Sequence, residues 1–475
     1  MDIGTRLFEL YFELLPATAL LVATVAGVLL VKADGRLQQA IAAWLRVEAA
    51  LALLILPVEA FAQQPARALE LGSLQQAAID TDPRVQQFSL LNTQTDLRLQ
   101  NISALRLPSV SVESYGQYQS DVAHLPADAG PFAGLFAPPN DTYDGSIRID
   151  QRLFDSTINA QAALERAQLA ENQARVRSTL FALRQQVNDA FFAAAALEAR
   201  AGSLAATIDD LNARLQETNA RVQQGTALAS DAAAIEATVL QRQQEADDLQ
   251  SSRRAALDRL GTLTGQIVGD SDTLRLPDLS AAVAEARRSQ ATLRSRPEYE
   301  QFARTRDRLG RQQELTAAQD RPRISTYARI GYGKPGLNFA ASDFESYALG
   351  GVRLQWNAWT WGSAGREREA LAVQQRIVAA DEAAFTRSLT TSIEGDEAAI
   401  DRLQRSLQSD ERIVTLREQV ERSTQARLQE GVVTASEYLD RSAELLQARF
   451  ARSGHEVELA QAGARLLTTL GLEVR

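Results

Sequence analysis

From Val176 onward, apolar or small residues recur at Leu180, Leu183, Val187, Ala190, Ala194, Leu197, Ala201, Leu204, Ile208, Leu211, Leu215, Thr218 and Val222, in alternating steps of three and four. This is a heptad seam. No proline stands between Asp155 and Gly225, so at 1.5 Å per residue one helix would run for about 100 Å. No ordinary globular domain needs such a rod. The many alanines on the seam let a partner helix approach closely, as in a packed helical array.

The rod ends in a turn that occurs twice. In Arg427–Asp440 an arginine is followed four residues on by Gly431 and then by the pair Ser436-Glu437; Arg221, Gly225 and Ser230-Asp231 repeat the spacing. Glycine suits the left-handed residue that closes a helix, and the Ser, Thr and Asp cluster after it suits the cap of the next. Return helices are expected over Asp231–Leu263 and Ser436–Leu470, roughly 50 Å each and half the length of the rod. The other half would be covered by helices over Ser73–Leu105 and Ala281–Ala318, with a second long helix from about Gly365 to Leu428 and the link Gly265–Leu279 at mid-height.

Between each short first helix and its long helix lie two segments of period-two alternation. Val110, Val112, Gly116 and Tyr118 alternate with Ser109, Ser111, Glu113 and Gln117; Tyr143, Ile147, Ile149 and Leu153 alternate with Ser146, Arg148, Asp150 and Arg152. Arg323–Gly333 and Tyr347–Trp356 repeat the pattern, with Arg329 and Arg353 on the polar side. Strands of this length, apolar on one side and charged on the other, are those of an outer-membrane β-barrel. Glu113, Arg148, Asp150, Arg152, Arg329 and Arg353 would line a wet lumen, or a solvated sheet face if no barrel forms. Tyr118, Tyr143, Phe154, Trp356, Trp359 and Trp361 near the strand ends suit interfacial girdles.

The two halves keep constant offsets. Pro83, Phe88 and Pro108 match Pro297, Phe302 and Pro322 at 214 residues, and Arg221 and Gly225 match Arg427 and Gly431 at 206. One insertion in the first strand–strand loop accounts for the drop, so the chain reads as an internal duplication. We therefore divide it into an N-terminal apolar region, residues 1–62, a first repeat, residues 63–264, a connector, residues 265–280, and a second repeat, residues 281–475. The first region carries an apolar run at Leu14–Val31, long enough for a retained anchor, and, further on, Ala60-Phe61-Ala62, which reads first as the cleavage site of a secretory signal.

Composition narrows the function. The chain has 475 residues, a formal charge of −10 and no cysteine, which argues against a nucleic-acid binder and excludes disulfides and thiolate metal sites. His124 and His455 are its only histidines, too few for a His-based triad or zinc site, and both read as surface residues. No catalytic cluster, metal or cofactor is expected, and an enzyme is not.

Four membrane strands cannot close a barrel, and an open sheet cannot stand in lipid with unpaired edges. The chain must oligomerise. Three copies supply twelve strands and twelve helical columns, a barrel continued by a helical tube: an α+β membrane protein. The competing class, a periplasmic coiled-coil scaffold or adaptor without a pore, gives no reason for the four strands.

The chain from about Ser73 to its end resembles the TolC-like outer-membrane efflux (channel-tunnel) family. The resemblance rests on the repeated helix–strand–strand–helix–helix order, the Gln151-Arg152-Leu153-Phe154-Asp155 run and both turns. It implies a homotrimer in outer-membrane lipid that docks a periplasmic adaptor (membrane fusion) protein and an inner-membrane pump, as the exit duct of a tripartite efflux or type I secretion system. It also implies adaptor contacts at Arg221, Gly225, Ser230, Arg427, Gly431 and Ser436. An acidic pore constriction is implied at Glu437 and Asp440, with Asp231 as the first-repeat counterpart of Glu437 and Ala234 in place of the second acid. The family's latch tyrosine and arginine are replaced by Leu428 and Val433.

Each of these has a plainer reading. Acids in the first turn of a helix favour the macrodipole, which alone would explain Asp231 and Glu437. Arg221 and Arg427 also suit helix C-termini.

Overall fold

The computed structural model describes residues 67–122, 139–288, 295–337 and 342–474. The apolar N-terminal region and His124 lie outside them.

The described chain begins with β1 (Ala68–Glu70), α1 (Leu71–Thr81), a 3-10 turn (Pro83–Gln86) and α2 (Gln87–Ala104). Strands β2 (Ser109–Tyr118) and β3 (Asp141–Phe154) lead into α3 (Ser156–Gln223) and α4 (Ala229–Thr264). The connector holds β4 (Thr273–Arg275) and α5 (Ser280–Arg288). Then α6 (Pro297–Gln319), β5 (Arg323–Lys334), β6 (Glu345–Gln355), α7 (Ser363–Gln429) and α8 (Ala435–Thr469) repeat the order.

The rods are as long as the heptads imply: 68 residues in α3 and 67 in α7, about 100 Å each. Asp155 starts the first, its carboxylate accepting from the Thr157 amide at 3.0 Å. Among the described residues, α3 is the helix with a window apolar enough to cross a membrane, at mean hydropathy 1.2. It packs along its length on α1, α2, α4, α6 and α8, so that hydropathy belongs to a core.

Two expected helices are shorter than the apolar pattern suggests. Ser73–Leu105 breaks at Asp82-Pro83, where the proline ring removes a donor and Asp82 instead caps Arg84, accepting from its amide at 2.8 Å. In the second half α5 ends at Arg288 and α6 starts afresh at Pro297.

Short helices stack end to end beside the rods. The Thr81 hydroxyl donates to the Thr264 carbonyl at 3.1 Å, bringing the end of α4 to α1. Gly265 closes α4 at φ 65°, and a Cβ there would stand 3.0 Å from that of Thr81. At the matching joint, Ser295 donates to the Leu470 carbonyl at 2.9 Å, so α8 ends where α6 begins. Phe191, Phe192, Leu257, Leu260, Ile400, Leu403, Leu466 and Leu467 form the main core at this height. Asn188, fully buried within it, accepts from Gln75 at 2.5 Å and donates to Thr468 at 3.1 Å, so its amide is satisfied by both halves. Unforeseen by the alternation, β1 pairs in parallel with β4, Leu69 opposite Leu274.

The four long strands form one antiparallel sheet in the order β2-β3-β5-β6. Its register puts Val112, Ile147, Ile330 and Ala348 in one row and Ser111, Arg148, Arg329 and Leu349 in the next. Successive rows point to opposite faces. The sheet therefore has one apolar and one charged face, and β2 and β6 are its two edges.

Candidate functional site: sheet faces and helix tips

The apolar face is bare. Val112 is 78% exposed, Val352 69%, Ile330 67% and Ile147 51%, a contiguous patch far larger than single surface hydrophobics explain. Aromatic residues bound it at both ends. Phe344 stacks with Tyr332 at 5.5 Å and Tyr143 at 6.2 Å at the loop end, and Trp359 meets Trp361 edge-on at 5.9 Å at the helix end. From Tyr143 to Phe154, strand rise and the usual tilt give a height of roughly 25–30 Å, that of a barrel's lipid band.

The opposite face carries all six strand charges singled out by sequence. Arg148 and Arg329 stand directly opposite one another, a repulsive arrangement unless acids intervene. Arg148 donates to Asp150 at 3.0 Å with Glu113 4.0 Å away, and Arg329 donates to Asp144 at 2.6 Å and to the Ser146 hydroxyl at 2.9 Å. Arg353 lies over the Tyr327 ring at 5.2 Å, and Arg152 reaches Asp155 at 3.1 Å. Asp144, which the alternation did not single out, is 8% exposed and also accepts from the Tyr347 hydroxyl.

At the far end of the rods the two turns have the same construction. Gly225 and Gly431 both adopt φ 72°. The Gly225 amide donates to the Val222 carbonyl at 3.0 Å and Thr226 to Arg221 at 2.8 Å; Gly431 and Val432 repeat this with Leu428 and Arg427 at 3.1 and 2.9 Å. These bonds satisfy the last carbonyls of each rod.

The capping residues differ from expectation. Ser230 and Ser436 lie inside the return helices, both exposed, and cap nothing; the N-caps are Leu228, without a side-chain bond, and Thr434, whose hydroxyl accepts from the Glu437 amide at 3.3 Å. Of the Ser, Thr and Asp cluster expected to cap, Thr434 does so, while α4 and α8 begin at Ala229 and Ala435, ahead of both serines. Asp231 and Glu437 are half-buried in the first turns of α4 and α8, and Asp440 is exposed one turn beyond Glu437, on the same helical face.

The two arginines are not equivalent. Arg427 is exposed, whereas Arg221 is half-buried and donates to the Leu428 carbonyl at 3.2 Å, tying the first tip to the second. Just above, Leu211, Ile235 and Val239 pack with Ala435 and Tyr438, and Leu428 packs against that cluster. Tyr438 is fully buried and donates to Asp210 at 2.7 Å. Burial, then the Asp210 carboxylate, holds its hydroxyl well above the ordinary phenol range, so it remains a donor. Burial also raises the Glu421 carboxyl beside it, with Asp210 adding to the effect. His455 is less of a surface residue than the sequence suggests: its Nδ1 lies 2.6 Å from buried Asp410.

A sheet with a lipid-type face and a charged face, carried on 100-Å helices, is the combination that a membrane-anchored strand-and-rod fold requires. Residues 75–266 match the family model described as outer membrane efflux protein. That match lies in the first repeat and bears out there the resemblance read from the sequence. Among solved structures, the outer membrane protein VceC from Vibrio cholerae is similar at TM-score 0.62 and 16% identity, over 85% of this chain and 97% of that one. CusC gives 0.64 at 14%, over 87% and 96%. The open state of the Neisseria gonorrhoeae MtrE outer membrane channel gives 0.59 at 16%, over 85% and 89%. Among curated proteins none matches the chain.

Proposed function

We propose that three copies of this chain close a twelve-stranded barrel and a helical tunnel, the passive exit duct of a tripartite efflux or type I secretion system, not an enzyme. The observation that carries this is the sheet: its apolar face is exposed, its charges lie on the other face, and both edge strands, β2 and β6, lack a neighbour among the described residues. Lipid tolerates no unsatisfied edge, so β6 of one copy would pair with β2 of the next. The repeated element order and constant offsets support descent by internal duplication.

In this reading Glu113, Arg148, Asp150, Arg152, Arg329 and Arg353 line the barrel lumen. Arg221, Gly225, Ser230, Arg427, Gly431 and Ser436 meet the periplasmic adaptor, which couples the duct to an inner-membrane pump. Glu437 and Asp440, with Asp231 nearby, narrow the mouth. Six carboxylates from three copies of α8 would favour cations and repel anions.

The test is mass in detergent followed by planar-bilayer recording. A trimer that forms pores is expected. A monomer or dimer soluble without detergent overturns the reading.

A further inference from the structure

Charge on the polar face of the sheet is sorted along the strands. The row nearest the loops holds Asp144 beside Gly333 and Glu345, and the next holds Glu113 beside Ser146. Then come Arg148 beside Arg329 and, nearer the helices, Arg152, Ser325 and Arg353 in one row, with Arg323 two residues from Ser325 on β5. Eight residues separate Glu345 from Arg353 on β6, about 27 Å along the strand. That exceeds the Debye length of about 8 Å in physiological salt, so the two ends keep separate potentials.

Local pairing does not cancel this separation. Arg148 is matched by Asp150, Arg329 by Asp144 and Arg152 by Asp155. Among the described residues no carboxylate pairs with Arg323 or Arg353 at the helix end, and no cation pairs with Glu345 at the loop end. Arg152 and Arg353 flank Ser325 from the two neighbouring strands, and Arg323 lies next to it on the same face. Neighbouring positions on one sheet face stand about 5–8 Å apart. Three guanidinium groups this close, with Asp155 the one carboxylate paired among them, repel one another until an anion joins them.

An aromatic ring is inlaid beside these arginines. The Tyr327 ring lies across Gly351 of β6, where a Cβ would stand 3.0 Å from the tyrosine hydroxyl, so a side chain there would push the ring aside. Arg353 lies over the ring at 5.2 Å and Arg148 at 5.8 Å. Guanidinium groups take carboxylates in bidentate geometry, and the phenol beside them offers an apolar surface.

We propose that Arg323, Arg353 and Arg152, with Tyr327, form a belt at the helix-side end of the barrel that binds aromatic carboxylates as they pass. The acidic rows at the loop end leave the outer half of the lumen without such a site. The inference rests on the channel reading, in which this face is the lumen. It sets the barrel against the mouth, where Glu437 and Asp440 favour cations.

The full-chain trimer in detergent is titrated calorimetrically with benzene-1,3,5-tricarboxylate, and the same preparation is recorded in planar bilayers. Saturable binding that weakens with added salt is expected, whereas the neutral benzene-1,3,5-trimethanol should not bind. Arg353→Gln, which breaks no ion pair, should weaken binding about ten-fold, and Arg353→Lys should retain more of it. Absence of binding to a pore-forming wild type, equal affinity in folded Arg353→Gln, or equal binding of the two probes overturns the belt alone. Should Arg353→Gln give no SDS-resistant trimer, the wild-type comparison of the two probes decides. A wild type that forms no pore overturns the channel reading and the belt with it.

Discussion

The Arg329 guanidinium on β5 donates to the Asp144 carboxylate on β3 at 2.6 Å, inside the polar face of a sheet whose other face is bare hydrocarbon. Removing Asp144, itself 8% exposed, leaves Arg329 with the Ser146 hydroxyl and without a carboxylate to match its charge. Asp144→Ala is expected to cost about 2 kcal/mol in barrel stability. Asp144→Ala with Arg329→Leu should recover part of that. Urea titration of the folded, heat-modifiable band on SDS gels reads both.

The two sheet faces should respond oppositely to charge. Ile147→Arg, in the middle row of the apolar face, should destabilise the membrane-inserted state by about 2–4 kcal/mol. Ser111→Arg, one row away on the polar face, should be close to neutral. Equal losses in lipid-bilayer unfolding would contradict the face assignment.

Replacing Glu437 and Asp440 by Ala should raise anion passage and abolish block by multivalent cations added on the periplasmic side. Reversal potentials in asymmetric salt measure the first and dose–response currents the second. Asp231→Ala should have the smaller effect, since Ala234 denies the first repeat a second acid.

The tip glycines have open space around them, so a methyl group would meet no neighbour. Their constraint is the positive φ. Gly431→Ala and Gly225→Ala should each destabilise locally by about 1 kcal/mol, seen as faster amide exchange in the last turns of α7 and α3 with the mid-height core unchanged.

Burial, then Asp210, holds the Glu421 carboxyl above its ordinary range. A raised carboxyl pKa means the folded state binds the proton more tightly. Its contribution is fully present below the unfolded-state pKa of about 4.3 and is lost as pH rises through the folded value. Mild acidification from neutrality should therefore tighten the tip. Glu421→Gln should flatten that pH dependence, as followed by thermal unfolding of the helical signal.

The long-period features were legible because they repeat. Heptads from Val176 to Val222, alternation over four strands and offsets of 214 and 206 all pointed one way, and the helix and strand limits differ from expectation by a residue or two. Short-range competition was harder to read. Apolar spacing runs through Asp82-Pro83 although the ring breaks the helix there. The three residues of β1 have too little alternation to register, and Thr434 caps α8 two positions ahead of Ser436.

The Tyr438–Asp210 bond illustrates a different limit. On α8 the tyrosine looks like another seam residue, and Asp210 on α3 like another solvated charge. They are 228 residues apart, and only the relative height of two hairpins brings them together.

The pairing of β1 with β4 also bears on time. The first described strand, Ala68–Glu70, finds its parallel neighbour only at Thr273–Arg275. A chain threaded amino end first must thus expose its opening segment until about two hundred further residues have emerged. Contacts this distant in sequence form late and leave intermediates prone to aggregation. The seam at mid-height therefore acts as a checkpoint in the birth of the molecule: the first repeat cannot finish before the connector has emerged.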